Sequence, residues 1–268
     1  YEGRIYQNAG QGDVAIKSFI KAREVEGPIT DTLTLGNLLV AQATYYYSTY
    51  KVKEFIANNQ QAARLYEAIG HSYYQFRSLL NTLDGSILNN DKPLADSILT
   101  CCRSEIEKHP DYEASLLSYI LSYTITFGSD EEIRTAIESC LDKKNLSRNA
   151  KLKMALGYSK IGEAEKALQI FAEASPSNSL SYLAIQMQVL KSNEKYKEAL
   201  DAYQSYSNTL EKKHLDIFSQ DLLFAQEKHD LEMASLKETQ TKEKLIWYST
   251  CSTFALMLMI GFIYYRYR

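Results

Sequence analysis

Few residues in this chain have types that could do chemistry, and their spacing assembles no reaction centre. His71, His109, His214 and His229 form no His-Glu-x-x-His zinc frame, and there is no Cys-x-x-Cys pair, glycine-rich phosphate loop or Gly-x-Ser-x-Gly elbow. The run Tyr158-Ser159-Lys160 sets a phenol, a hydroxyl and an amine side by side, but this tyrosine also recurs with a sequence repeat, which accounts for it. Acidic pairs such as Glu131-Glu132 and Glu163/Glu165 read as solvated helix starts. Of the 4 cysteines, Cys101 and Cys102 are adjacent, Cys140 stands apart and Cys251 lies in an apolar run. That is neither a disulfide framework nor zinc-ligand spacing, and the four read as small core or lipid-facing residues. A bridge from Cys140 to Cys101 or Cys102 is left open for an oxidising compartment. The expectation is a protein that is not an enzyme, with no catalytic residue, no metal and no cofactor.

Tyrosine is the compositional outlier. There are 21, with Tyr45, Tyr46, Tyr47 and Tyr50 in one cluster and Tyr73 and Tyr74 in another. The side chain offers contact area at low entropy cost, which suits a recognition groove. Stacked helices also need bulky gap fillers, and packing is the weightier of the two readings. Tyr45, Tyr46 and Tyr50 stand as ligand-groove candidates. Charge narrows the ligand class: setting aside Arg266 and Arg268 leaves 28 basic against 33 acidic residues, a net of −5, and a nucleic-acid face is not expected.

The elements that must position these residues are helices. The chain has 4 prolines and 11 glycines, is 45% hydrophobic, and abounds in Leu, Ala, Lys and Glu, which favours an all-α fold over a sheet. Self-similarity is present. Tyr6, Gly10, Ala15, Phe19 and Ala22 are spaced by 4, 5, 4 and 3, and the same residue types recur at that spacing at Tyr158, Gly162, Ala167, Phe171 and Ala174. Leu190, Glu194, Ala199, Tyr203 and Tyr206 keep the spacing, with the Ala and the following aromatic matching in type. A small residue lets two antiparallel helices approach closely, and an aromatic one turn later fills the space beyond.

This pattern resembles the tetratricopeptide repeat, a helix-turn-helix unit of ~34 residues that stacks into a superhelix. Ala15, Ala167 and Ala199 would be the small residue of the second helix, and Phe19, Phe171 and Tyr203 the aromatic that follows. The family's first-helix Trp is absent, Ala155 stands where a Gly is usual, Glu194 replaces the turn Gly, and the last two units are 32 residues apart. The resemblance implies that first-helix residues line a concave surface, which makes Ser159, Lys160, Gln188 and Lys191 further groove candidates.

Between the matched units the chain reads as more hairpins. Leu35 to Tyr50 and Ala62 to Leu80 are apolar at helical spacing and separated by Asn58-Asn59; Asn89-Asn90 marks a break before Pro93, which suits a first helical turn. His109-Pro110-Asp111 ends a unit, Ser129 with Glu132 three residues on reads as a capped helix start, and Asn145-Leu146-Ser147 opens the well-matched unit. At ~34 residues per unit, five to seven hairpins fill residues 1–208. After Asn208 the texture changes. Leu215, Phe218, Leu222, Ala225, His229, Met233 and Leu236 form one stripe along a charged helix without Gly or Pro over 209–244. The stripe is either a dimeric coiled-coil seam, with His229 as its polar misfit, or a cap on the solenoid.

Residues 245–265 carry no charge and end against Arg266 and Arg268, with Trp247, Tyr248, Tyr264 and Tyr265 near the two ends. A bilayer core of ~30 Å needs ~20 apolar residues in a helix, so this segment is expected to be a single transmembrane helix, with residues 266–268 starting a cytoplasmic segment. A repeat solenoid, a long helix, one span and a basic exit resemble in layout the sensor half of Bacteroidetes membrane-anchored tetratricopeptide regulators and histidine kinases. That resemblance implies an extracytoplasmic solenoid that binds a protein, peptide or exported ligand and relays its state to an output domain in signal transduction or transcription regulation. The alternative is a tail-anchored scaffold gathering protein partners at a membrane. A homodimer and the lipid bilayer are the other expected partners.

Overall fold

The repeat is written in the backbone more regularly than in the side chains. The computed structural model describes residues 31–141, 143 and 146–268 together with Ser18; within its last helix it describes every side chain except those at 220, 221, 223–225, 227, 228, 231, 232, 254, 255 and 258. Its helices are α1 Thr32–Ser48, α2 Val52–Ala68, α3 Ser72–Leu88, α4 Lys92–Lys108, α5 Glu113–Phe127, α6 Asp130–Leu141, α7 Arg148–Lys160, α8 Ala164–Ala172, α9 Leu180–Ser192 and α10 Tyr196–Tyr267, with a 3₁₀ turn at Pro110–Tyr112. Among the described residues there is no strand. The first unit expected from the sequence, Tyr6 to Ala22, lies outside the described residues.

Five turns share one geometry. Tyr50, Gly70, Asn90, Gly162 and Glu194 take φ of 58°, 68°, 54°, 80° and 57°. The next residue's N–H in each case donates to the carbonyl five positions back: Lys51 to Tyr46 at 2.8 Å, His71 to Tyr66 at 2.8 Å, Asp91 to Ser86 at 2.9 Å, Glu163 to Tyr158 at 2.9 Å and Lys195 to Leu190 at 3.0 Å. This left-handed C-terminal motif satisfies carbonyls that a helix end leaves open and reverses the chain within three residues. Helix starts are fixed as locally. Asp91, Ser147 and Ser179 accept from the N–H groups of Leu94, Ala150 and Tyr182. The Ser129/Glu132 capping box forms, with Ser129 N–H to Glu132 Oε2 at 2.7 Å and Glu132 N–H to Ser129 Oγ at 3.3 Å.

The turns also correct the sequence reading. Asn58-Asn59 is no break but the middle of α2. Asn59 is fully buried, its amide donates to Phe55 O at 2.9 Å, and its carbonyl accepts from Asn81 at 3.0 Å, so a tertiary partner holds it inside the helix. The break lies at Gly70 and divides the apolar stretch from Ala62 to Leu80. Unit length is not constant either: the left-handed residues of equivalent turns lie 40 residues apart at Tyr50 and Asn90 but 32 apart at Gly162 and Glu194.

The helices pair as α1/α2, α3/α4, α5/α6, α7/α8 and α9 with the first turns of α10, and each second helix packs on the first helix of the next pair. The first helices α3, α5, α7 and α9 also touch in succession, forming one layer. This is a repeat-like stack of helical pairs, compatible with a tetratricopeptide-like solenoid. Small residues set the close approaches. A Cβ at Gly36 would lie 2.8 Å from Tyr66 Cε1, at Gly85 2.6 Å from Ile56 Cγ1, and at Gly157 2.9 Å from Ile137 Cδ1. Ala167 is fully buried and Phe171 is buried beside it, as the repeat pattern expects. Tyr203 is exposed, because no further hairpin covers its side of α10.

All four thiols are free. Cys102 packs in the cluster of Phe76, Leu83 and Leu116, and Cys140 in that of Ile137, Met154 and Phe171, so the bridge left open from Cys140 does not form. Burial pushes the Cys102 thiol up to about 12.

Helix α10 is continuous from the last hairpin to Tyr267, 72 residues or about 108 Å at 1.5 Å per residue. The stripe of Leu215, Phe218 and Leu222 is exposed, so it does not cap the stack. Ala199 and Ala202 are buried and Tyr206 packs on the core, so a different face of α10 does that. The transmembrane helix expected at 245–265 is not established by the fold: among the described residues no helix is long and apolar enough to cross a membrane. The first half of that segment is rich in hydroxyls, and the side chains at 254, 255 and 258 fall outside the description. Its Thr250 and Thr253 hydroxyls donate to the Ile246 and Ser249 carbonyls at 2.6 and 3.1 Å, one turn back.

Candidate recognition groove

Four first helices each place one polar side chain in a single string: Tyr47 in the last turn of α1, Asp84 on α3, Tyr119 on α5 and Lys153 on α7. The Tyr47 hydroxyl hydrogen-bonds the Asp84 carboxylate. Asp84 and Lys153 attract one another although α5 stands between their helices. Tyr50, one turn beyond Tyr47, meets Lys213 and His214 of α10, four hairpins along, so the stack curls enough to bring its first described turn to its last helix.

The electrostatics are those of a crowded hollow. Burial pushes the Asp84 carboxyl above its ordinary value, opposed by Lys153 and by the Tyr47 hydrogen bond. Burial likewise pulls the Lys153 ammonium down, opposed by Asp84. The Tyr47 phenol is pushed up to about 12, first by burial and then by the Asp84 charge. Tyr47 is nevertheless 45% exposed: protein surrounds its phenol on several sides while solvent still reaches it, as expected at the mouth of a groove. Tyr119 is raised by burial and by Asp84, with Arg77 opposing. Among the described residues the Lys153 ammonium has no direct hydrogen-bond or ion-pair partner, only the attraction of Asp84. Together these groups offer an acceptor, a cationic donor and two phenols along successive first helices.

The candidates named from sequence lie on or just after α1, on α7 and on α9. Ser159 is half-buried and ties adjacent first helices, with its hydroxyl 3.0 Å from Ser192 Oγ and 3.4 Å from the Gln188 carbonyl. The Lys160 ammonium donates to the Ile125 carbonyl of α5. Both side chains are thus engaged in helix stacking, while the Gln188 and Lys191 side chains are exposed. Tyr45 and Tyr46 are half-buried with ring centroids 5.6 Å apart, and the Lys51 ammonium lies 5.8 Å from the Tyr45 ring. Tyr50 projects from the first turn toward α10, where Lys213 Nζ stands 4.7 Å from its ring and His214 packs edge-on at 6.1 Å. The tyrosine of that cluster that joins the string is Tyr47, which the sequence reading did not single out. A signal existed: Asp84, Tyr119 and Lys153 are separated by 35 and 34 residues, close to one repeat.

The other tyrosines are largely structural. Tyr66 is fully buried and donates to Asn37 Oδ1 at 3.0 Å. Tyr74 lies 5.3 Å from Tyr66 and 4.5 Å from His71, and Tyr112 stacks on Phe76 at 4.8 Å, forming an aromatic ladder along the turns between hairpins.

No protein-family model matches the chain, and no curated protein sequence matches it.

Proposed function

We propose that this chain is a membrane-attached, tetratricopeptide-like recognition protein whose inner wall grips an extended peptide or protein segment outside the cytoplasm. The observation that carries this reading is the string of Tyr47, Asp84, Tyr119 and Lys153 on successive first helices. A peptide group donates through its N–H and accepts through its carbonyl, which matches a carboxylate and an ammonium that attract one another without a direct ion pair. Half-buried charges that are not fully paired cost stability, so their presence in a curved wall favours a ligand role over a packing one.

Membrane attachment comes from residues 245–265, whose described leucine, isoleucine, methionine and aromatic side chains are exposed and whose threonine hydroxyls are bonded within the helix. Because α10 runs unbroken from the last hairpin into this segment, it is the element that would carry a change in solenoid packing to an output domain beyond Arg268. Such coupling requires the ligand to favour one of two packings.

Two measurements test the reading. Full-length chain in detergent is screened against a displayed library of unstructured peptides, and the binders are measured again on Asp84→Asn/Lys153→Met. A loss of affinity of about tenfold or more supports the groove; unchanged affinity overturns it. For attachment, the chain is floated with phosphatidylcholine vesicles. The parent should float and Leu256→Asp/Ile260→Asp should stay below, since each charge at a bilayer centre costs about 2.5–3.5 kcal/mol.

A further inference from the structure

Helix α10 carries two apolar faces, and the solenoid uses only one. At 100° per residue, the inward set of Ala202, Tyr206, Leu210, Lys213 and Ile217 centres about 150° away from the outward set of Leu215, Phe218, Leu222, Met233 and Leu236. The inward residues are buried or half-buried, and Lys213 closes on Tyr50 of the first described turn. The outward residues are 64%, 71%, 60%, 43% and 56% exposed. The solenoid therefore fixes the rotation of α10 and turns the second face to open solvent.

From this we infer that the outward face is a seam for a second copy of the chain, joined as a parallel two-stranded coiled coil. The inference stands apart from the groove reading. Leu215, Phe218, Leu222, Ala225 and His229 follow the 3-4 alternation by which one helix seats its knobs in an identical partner. Ser219 and Gln226, which flank the seam in that frame, bear no charge; after His229 the spacing runs 4 and 3, an inserted turn that keeps Met233 and Leu236 on the stripe. Five large apolar side chains per copy at about 60–120 Å² each bring the contact to about 600–1,200 Å². The apolar run 245–265 continues it along the same helix. An antiparallel pair would set that run of each copy against the charged stretch 209–244 or the solenoid of the other; a parallel pair lays apolar run on apolar run. His229 sits in the seam as a polar residue that fixes register and lowers affinity.

The test uses the full chain in detergent. Light scattering after size exclusion should give twice the chain mass, and Phe218→Glu/Leu222→Glu the single mass. His229→Leu should lower the dimer dissociation constant by about tenfold. In a Cys101→Ser/Cys251→Ser background, Leu222→Cys should cross-link to its own copy under mild oxidation, and Glu238→Cys, on the far side of the helix, should not. The cross-link needs no disruptive charge and so reads the interface even if the glutamate variant misfolds. A monomeric parent, or equal cross-linking at 222 and 238, overturns the proposal.

Discussion

The charges of Asp84 on α3 and Lys153 on α7 attract one another, and each opposes the shift that burial imposes on the other. Removing either alone leaves its partner in a crowded site without a counter-charge. Burial outweighs the counter-charge at both groups, so Lys153→Met and Asp84→Asn should each be neutral to stabilising, by less than about 1 kcal/mol. The double variant should gain more than the two single variants together, because in each single variant the remaining charge has lost the attraction that partly offset its burial. Chemical unfolding followed by circular dichroism gives the three values. A coupling energy near zero would mean that the two groups do not sense each other.

The same pair sets a pH dependence whose sign follows from the directions of the shifts. The Asp84 carboxyl is raised, so in the pH range just above 3.8 the folded chain holds a proton that the unfolded chain has released. Its contribution is fully present below pH 3.8 and is lost as pH rises through the folded value. Lys153 is lowered, so its contribution is present above pH 10.5 and is lost as pH falls through the folded value. Between these limits both charges oppose folding. Relative to the Asp84→Asn/Lys153→Met variant, the parent should therefore lose stability on going from pH 3 to pH 6. A difference curve flat over that range would contradict the assignment.

How much of this could be read beforehand follows the range of the interactions. Pro93, Asn89-Asn90, Ser129 with Glu132, and Ala167 with Phe171 act within a turn or between adjacent helices, and their residue types announce what they do. Asn59 reads as a breaker and is a helix interior, because the group that satisfies it, Asn81, lies on another helix. Tyr203 has the type of a buried aromatic and is exposed, because burial depends on a following hairpin that α10 does not have. Most of the groove string was hidden for a related reason. Lys153 and Asp84 are ordinary surface residues by type, and only the stacking of successive first helices brings their charges within reach of one another. The 40-residue spacing of the first units also blurred the periodicity that would have aligned them.

Glu194 occupies the left-handed turn position that glycine holds at Gly162. An L-residue there costs about 1 kcal/mol, because its Cβ crowds the neighbouring carbonyl. Glu194→Gly should stabilise the last hairpin by about 0.5–1 kcal/mol, and Gly162→Ala should destabilise by about 1 kcal/mol although nothing lies within 4 Å of the added carbon. Tyr50→Gly makes the useful contrast. It relieves the same strain but removes the ring that Lys213 sits on, a contact worth about 0.5–1 kcal/mol, and should come out near neutral. Thermal unfolding of the three variants separates strain from contact. An equal gain for Tyr50→Gly and Glu194→Gly would show that the Lys213 contact contributes nothing.

Gly85 opposes two effects of known sign. In the last turn of α3, alanine would still be favoured over glycine by up to about 1 kcal/mol of helix propensity. Yet a Cβ there would stand 2.6 Å from Ile56 Cγ1 and 2.9 Å from Phe55 Cδ1, on a side where α2 already packs closely. Overpacking of this kind typically costs about 1–3 kcal/mol, and the carbon in the way is near the Ile56 backbone and cannot swing aside. Gly85→Ala should therefore destabilise the second hairpin by up to about 2 kcal/mol. Ile56→Ala removes the obstructing carbon, so its own cavity cost should shrink by about 1 kcal/mol or more when Gly85 is alanine. Strict additivity of the two substitutions would show that α2 and α3 can move apart freely and that the glycine is not needed for their approach.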